Sequence, residues 1–224
     1  MELSVRLQAV ADMVSEGRKV ADIGCDHGYV SIYLCREKHC PRVIAMDVKK
    51  GPLERAKANI SRYGLSDYIE TRLSDGTNAL EPGEVDTLLL AGMGGRLMIR
   101  IMEAGLERLD SLSEFVLQPQ SEIFLVRAFL RQQGIKIVDE DMVLDDGKYY
   151  SVIKAVRDGK EQQAKPVEDY FGPVLLRKRP PVFEAYLQKE AEKTTQLLER
   201  VTKQERILEL KEYLTYVKEA LENE

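Results

Sequence analysis

VADIGCDHGYVSIYL, residues 20–34, is the stretch whose reading decides the fold. It opens with small and β-branched apolar residues, the composition of a short buried strand. A turn holding Asp22, Gly24, Cys25, Asp26, His27 and Gly28 follows, and from Val30 to Lys38 the chain has helical character until Pro41 stops it. Two glycines four residues apart allow a backbone that side chains would otherwise crowd. One reading is a tight turn that only joins a strand to a helix. The other is the floor of a ligand pocket.

The flanking segments repeat this strand-then-helix order. Residues 2–16 place Leu3, Leu7, Val10 and Val14 on one helical stripe. RVIAMDV (42–48) is a second buried strand ending at Asp47, and Pro52 opens a helix through Arg62 that Gly64 closes. YIETRLS (68–74) alternates like a strand. VDTLLLAGMGG (85–95) is a continuous apolar strand running into a glycine-rich turn, with a helix over 96–109. EFVLQPQ (114–120) is a strand, and SEIFLVRAFLRQQG (121–134) a helix with Ser121 as N-cap and Gly134 at its end. Residues 135–156 read as two strands around an Asp146-Gly147 turn. Near-continuous apolar strands alternating with helices predict an α/β, doubly wound, Rossmann-like parallel sheet covered on both faces. The last pair predicts an antiparallel hairpin, as in the methyltransferase variant of that fold.

After Val156 the pattern changes. Residues 157–166 are polar and read as a linker, and the segment to Pro181 is short and broken by prolines. Residues 182–221 are helical almost without breakers. Leu187, Ala191, Thr194, Leu198, Val201 and Leu208 keep a spacing of three and four; Ile207, Leu210, Leu214, Val217 and Leu221 keep it one residue out of phase. A turn near Thr202–Arg206 resolves the slip, giving two antiparallel, coiled-coil-like helices. A single bent helix is the alternative. We therefore expect a ligand-binding domain over 1–160 and a C-terminal helical domain over 161–224.

The chain has 224 residues, with 38 acidic against 33 basic side chains and a net charge of −5. Such a molecule is no global trap for nucleic acid, although a local basic face remains open to it. Three cysteines offer no disulfide framework. Cys35, His39 and Cys40 lack the spacing of a zinc site, so no metal is expected. The N-terminal residues have no signal-peptide core, and no apolar run approaches a membrane span. These features predict a cytoplasmic protein.

A dinucleotide site wants G-x-G-x-x-G, whose second glycine admits a pyrophosphate. Asp26 occupies that place and would repel it, which argues against NAD and FAD. S-adenosylmethionine carries no phosphate and has a positive sulfonium, so an acidic turn suits it. Asp22 is placed to hold the turn or to receive the ligand's ammonium through water. Asp47 ends the second strand, where an acid can accept two ribose hydroxyls. Asp75, with Gly76, follows the third, where an acid can accept the adenine amino group. Each aspartate alone is as well explained as a turn residue. Three of them at the carboxyl ends of three consecutive strands point to one pocket. The cofactor set is then Asp22, Gly24, Cys25, His27, Gly28, Asp47, Val48, Asp75, Gly76, Ala91 and Gly92. The fourth strand ends in AGMGG, offering backbone groups and little bulk to a planar base, without the Asn/Asp-Pro-Pro-aromatic motif of many amino-group methyltransferases.

LSVRLQAVADMV, VADIGCDHGYVSIYL, VIAMDVKKGPLERAKANI, LSDG, LLLAGMGG, VLQPQ and DDGKYYSVIKA together resemble the bacterial tRNA (adenine-22-N1)-methyltransferase family. The resemblance spans about the first 158 residues, and the family also carries a helical tail. It implies methyl transfer from S-adenosylmethionine to N1 of an adenine in the D-loop region of tRNA, with both parts of the chain contacting the RNA. It places Arg6 near the pocket mouth, where it can meet a phosphate. Met93, Gly94 and, by their position after the fifth strand, Gln118 to Gln120 fall on the substrate side, and Arg177, Lys178 and Arg179 are candidates for phosphates along the tail. A monomer is expected.

N1 of adenine has a free lone pair at neutral pH, so catalysis is chiefly positioning. Asp26 is the candidate catalytic residue, taking a proton from the exocyclic amine; its alternative is a loop-stabilising acid. A paired adenine hides N1, so the base must be unpaired or extruded at a cost of about a few kcal/mol. His27 and Tyr29 are candidates to pack on the ligand, with Tyr29 assigned rather to the helix core. Two other functions stay open: methyl transfer to a small molecule or protein, and a non-catalytic fold whose helices recruit a partner.

Overall fold

The computed structural model describes residues 2–109, 111–160, 163 and 165–222. Among them the chain runs α1 (Val5–Met13), β1 (Lys19–Ile23), α2 (Tyr29–Glu37), β2 (Arg42–Asp47), α3 (Lys50–Arg62), β3 (Ile69–Leu73), β4 (Thr87–Met93), α4 (Gly95–Arg108), β5 (Glu114–Pro119), α5 (Ile123–Gln132), β6 (Ile135–Asp145) and β7 (Lys148–Arg157). Helices α6 (Pro166–Phe171), α7 (Pro173–Lys178), α8 (Pro181–Arg200) and α9 (Gln204–Glu222) follow.

Alternation along each parallel strand sends side chains to two covered faces. Ala21 and Ile23, Ile44 and Met46, Leu88 and Leu90, and Phe115 and Leu117 meet Met98, Met102, Val126 and Leu130 of α4 and α5. Val20, Val43, Ala45, Leu89 and Val116 meet α1, α2 and α3 through Val10, Ile32, Leu34, Ala56 and Ile60. Among the described residues the strands form one seven-stranded sheet, ordered β3-β2-β1-β4-β5-β7-β6. β1 to β5 run parallel, and β7 is antiparallel to both β5 and β6. The doubly wound sheet with a terminal hairpin is therefore as the sequence predicts. Asp146 and Gly147 both have positive φ, 47° and 72°, which a two-residue type I′ turn requires.

One expected cap is corrected. α5 starts at Ile123 with Glu122, at φ 52°, as its N-cap, not Ser121. The Ser121 carbonyl instead accepts the Gly95 amide at 3.1 Å, which holds the chain against the start of α4 and delays the helix.

The long C-terminal stretch is a helical hairpin. α8 and α9 pack on each other across a break at residues 201–203. Leu187, Val217 and Ala220 share a cluster with Phe171, Leu175 and Met142, and Met142 belongs to β6, so these helices rest on the sheet edge. Of the expected linker, residues 161, 162 and 164 lie outside the described residues.

A buried ion pair fixes that edge. Arg127 of α5 donates to Glu140 of β6 at 2.8 Å, with the side chains 2% and 0% exposed. Glu140 also accepts the Val174 amide at 2.9 Å, at the start of α7. Arg127 donates to the Asp169 and Tyr170 carbonyls at 3.2 and 2.7 Å, at the end of α6. Gly172 joins the two helices at φ 91°, and a Cβ there would collide with the Glu140 carboxylate. Four elements therefore converge on one charge pair. Replacing Arg127→Met strands a buried carboxylate, and we expect a loss of about 3–5 kcal/mol in urea unfolding. The double replacement Arg127→Met with Glu140→Leu should recover most of it, because no buried charge is then left alone.

Candidate active site

In a parallel sheet the carboxyl ends of β1 to β4 point the same way, and the order reverses between β1 and β4 because their connections leave on opposite sides. A crevice of about 270 Å³ lies over those two strand ends. The turn after β1 forms its floor. The Gly24 and Cys25 amides both donate to the Met46 carbonyl, at 2.8 and 3.0 Å, which ties this turn to the end of β2. Gly24, Asp26 and Gly28 all have positive φ, at 80°, 44° and 73°. A Cβ on Gly28 would lie 3.1 Å from the Ala56 Cβ, so the glycine also lets α2 approach α3.

Asp22 is buried under this floor and accepts the Ser31 hydroxyl at 2.6 Å. Burial pushes its carboxyl up to about 6, against the pull of the Ser31 hydrogen bonds. Cys25 is also buried; desolvation, then the Asp22 and Asp47 carboxylates, push its thiol well above its ordinary range. It is a protonated wall residue, not a nucleophile. Asp47 accepts the Lys49 amide at 2.8 Å, with Val48 exposed between them. Asp75 is exposed, 3.7 Å from Arg100, and Gly76 closes against Ile101. β2 and β3 are paired up to Asp47 and Leu73, so Asp47 and Asp75 stand on one shelf beside the crevice. Ala91 and Gly92 line the crevice itself. Met93 packs half-buried on the core and reaches the Gly24 position, and Gly94 caps α4.

Arg6 of α1 lines the opposite wall. Its Nη1 donates at 2.8 Å to the side-chain Oε1 of Gln118, which also accepts the Gly92 amide at 3.2 Å. Gln118 is fully buried, so its expected place on the substrate surface is corrected: it braces Arg6 and the β4 turn from behind. Gln120, just past the end of β5, lines the crevice as expected. Asp26 stands at the mouth, its side chain 62% exposed, 3.3 Å from Arg55 and 3.7 Å from His27.

Tyr29 also departs from expectation. It is 39% exposed, lines the crevice, and stacks on His27 with ring centroids 5.8 Å apart and an interplanar angle of 12°. It is the first residue of α2, directly after left-handed Gly28, and so projects from the turn instead of from the buried helix face. The position of a helix start, not its apolar stripe, was the signal for it.

The basic run after α6 lies elsewhere. Lys178 pairs with Asp139, and Arg177 borders a separate cavity of about 370 Å³ with Arg131, Ile135 and Lys136, at the far end of β6. Arg179 is corrected as a phosphate contact. It is committed to Glu184 at 2.6 Å and to the Ala220 and Leu221 carbonyls at 2.8 and 3.1 Å, closing the last turn of α9.

Asp22 carries a measurable cost. Its carboxyl is raised from 3.8 to about 6 in the fold, so the ionised native state bears the full burial penalty above pH 6. The penalty fades as pH falls from 6 towards 4, where the native state binds the proton and the unfolded state does not. Asp22→Asn should therefore unfold at higher urea than the parent protein, by about 2–3 kcal/mol at pH 8 and by nothing near pH 4.

Residues 3–153 match the model of the methyltransferase domain family. The curated tRNA (adenine(22)-N(1))-methyltransferase of Bacillus subtilis is 29% identical, over 100% of this chain and 98% of that one. The crystal structure of the B. subtilis m1A22 tRNA methyltransferase TrmK superposes with a TM-score of 0.88 at 30% identity, covering 99% of each chain. A Streptococcus pneumoniae protein, described as a candidate tRNA (m1A22) methyltransferase and solved with S-adenosyl-L-methionine, gives 0.89 at 34% identity over 98% of this chain and 100% of that one. With this fold, this crevice and matches along its whole length, the chain belongs to the bacterial tRNA (adenine-22-N1)-methyltransferase family.

Proposed function

We propose that this protein transfers the methyl group of S-adenosylmethionine to N1 of adenine 22 in tRNA. The observation that carries the reading is the crevice over β1 and β4, with Asp22 and Asp26 in its lining, on a chain alike from end to end to an enzyme of that name. The residues present fit the cofactor. Asp26 stands where a pyrophosphate site needs glycine. Asp22 is a buried carboxylate whose charge calls for a cationic partner. Asp47 and Asp75 offer carboxylates on the adjoining shelf for ribose hydroxyls and an adenine amino group. When bound, S-adenosylmethionine supplies an electrophilic methyl on a positive sulfur.

The base's N1 lone pair forms the new N–C bond as the S–C bond breaks, leaving the positive charge on the adenine. No proton has to leave first, so the chain's work is to position the base and exclude competing water. The parallel His27–Tyr29 rings give a flat face at the mouth against which a base lies. Asp26, beside them and held by Arg55, accepts a proton from the exocyclic amine and passes it to solvent, discharging the product. Among the described residues no helix is long and apolar enough to cross a membrane; a tRNA substrate is what supports a cytoplasmic reading. α8 and α9 pack on each other and bury Leu187, Thr194, Leu210 and Val217, which supports a monomer.

Incubation with unmodified tRNA bearing adenine 22 and labelled S-adenosylmethionine should place one methyl per tRNA, with a reverse-transcription stop at that nucleotide. Adenine-to-guanine replacement there should abolish it. Absence of label, or label at another position, overturns the assignment. Asp26→Asn should lower kcat about 100-fold while the cofactor Kd stays put. Asp47→Ala should raise that Kd about 10- to 100-fold.

A further inference from the structure

A second cavity lies where the tail joins the sheet, and it takes part in no step of the reaction above. It encloses about 370 Å³, within the range of about 300–1,000 Å³ usual for small-molecule sites. Arg127, Arg131, Lys136 and Arg177 line it, together with Ile137 and Val174. Lys165, Glu168 and Asp169 complete the charged part of the lining. Most of these charges are answered locally. Lys165 pairs with Glu168 at 3.0 Å, Arg131 with Asp169 at 2.7 Å, and Arg127 with Glu140 behind it at 2.8 Å. The side chains of Lys136 and Arg177 meet no hydrogen-bond or ion-pair partner among the described residues. Two positive charges are therefore left without a counter-ion.

The two arginines of α5 stand one turn apart, each held along part of its guanidinium. Arg127 is buried and donates through Nε to Glu140 and through Nη1 to the Asp169 and Tyr170 carbonyls. Arg131 donates through Nε and Nη2 to Asp169, at 3.3 and 2.7 Å. Among the described residues Nη2 of Arg127 and Nη1 of Arg131 have no acceptor. A guanidinium already fixed in this way can meet an oxyanion with little further loss of side-chain freedom. A phosphate monoester carries a charge of about −1.5 to −2 at pH 7 and three terminal oxygens. That matches two uncompensated cations and two open arginine nitrogens.

We infer that this cavity binds a small phosphorylated anion, with Arg127, Arg131, Lys136 and Arg177 as donors and Ile137 and Val174 against its organic part. The site is independent of the methyl-transfer reading, and it moves Arg177 from a tRNA phosphate to a free one. Its position decides against the RNA backbone as the source. β6 runs from Ile135 at the cavity to Asp145, whose carboxylate accepts the Arg6 amide at 3.1 Å beside the crevice. At about 3.3 Å per residue those ends lie about 33 Å apart. Asp139 and Asp141 stand between them. An RNA backbone leading from the crevice along this edge would have to pass both carboxylates. A small anion meets no such barrier, and once bound it links α5 and β6 to α7 and tightens the seat of the tail on the sheet.

The test is calorimetric titration of the full-length protein with inorganic pyrophosphate at constant ionic strength. Pyrophosphate should bind with a Kd below about 1 mM and raise the thermal unfolding midpoint. Lys136→Gln and Arg177→Gln, both at exposed positions, should each weaken it about 10-fold, and the double replacement about 100-fold. Arg177→Lys should keep part of the affinity. Lys203→Gln, which removes a charge at the break between α8 and α9, should leave it unchanged. The Kd for tRNA should be the same in the parent protein and the double variant. Absence of pyrophosphate binding, or binding that Lys203→Gln weakens as much as Arg177→Gln does, overturns the inference. A tRNA Kd raised about 10-fold in the double variant overturns it as well, by giving the cavity to an RNA phosphate. A protein that binds pyrophosphate here yet methylates no tRNA fails the proposed function and not this site.

Discussion

The pairing of β1 between β2 and β4 is the constraint on which the site depends. All three strands run parallel, with Asp22 level with Ala45 on one side and Leu89 on the other. That register puts the turn after β1 beneath the Met46 carbonyl, which takes two amides from it. It also puts Ala91 and Gly92 across from the same turn. A slip of one residue would exchange the faces of Ala21 and Val20 and bury the wrong set on each side. The apolar pattern on both faces therefore fixes the crevice as firmly as its own hydrogen bonds do.

The sheet, its closing hairpin and the paired terminal helices were all legible in the sequence, because each rests on a local signal: strand composition, a two-residue turn, a break in a helical stripe. The acids at strand ends were legible for a related reason. A residue that ends a parallel strand can only lie on one rim of the sheet. The destination of individual polar side chains was less accessible. Gln118 looks like a strand-end residue free to face a ligand, yet its side-chain Oε1 is claimed by Arg6, 112 positions earlier. Arg179 sits in a basic run, yet its fork closes a helix that ends 43 residues later, at Glu222. Nothing local distinguishes an arginine that meets solvent from one that meets a distant carbonyl.

Charge serves different ends in different parts of the molecule. On the helical hairpin most of it is spent near in sequence, as in the Lys193–Glu190 and Arg206–Glu209 pairs three residues apart. Such exposed pairs contribute little. Arg127 and Glu140 are buried, and each also satisfies backbone groups at the ends of α6 and α7. A buried pair of this kind adds little net stability over an apolar one, but it admits few alternative seatings for the helices it touches.

The contact between Arg6 and Asp145 joins the first helix to the last hairpin, 139 residues apart. On the ribosome the N-terminal helix is made early and waits, because the partners that orient it leave the exit tunnel only after nearly all of the sheet has been synthesised.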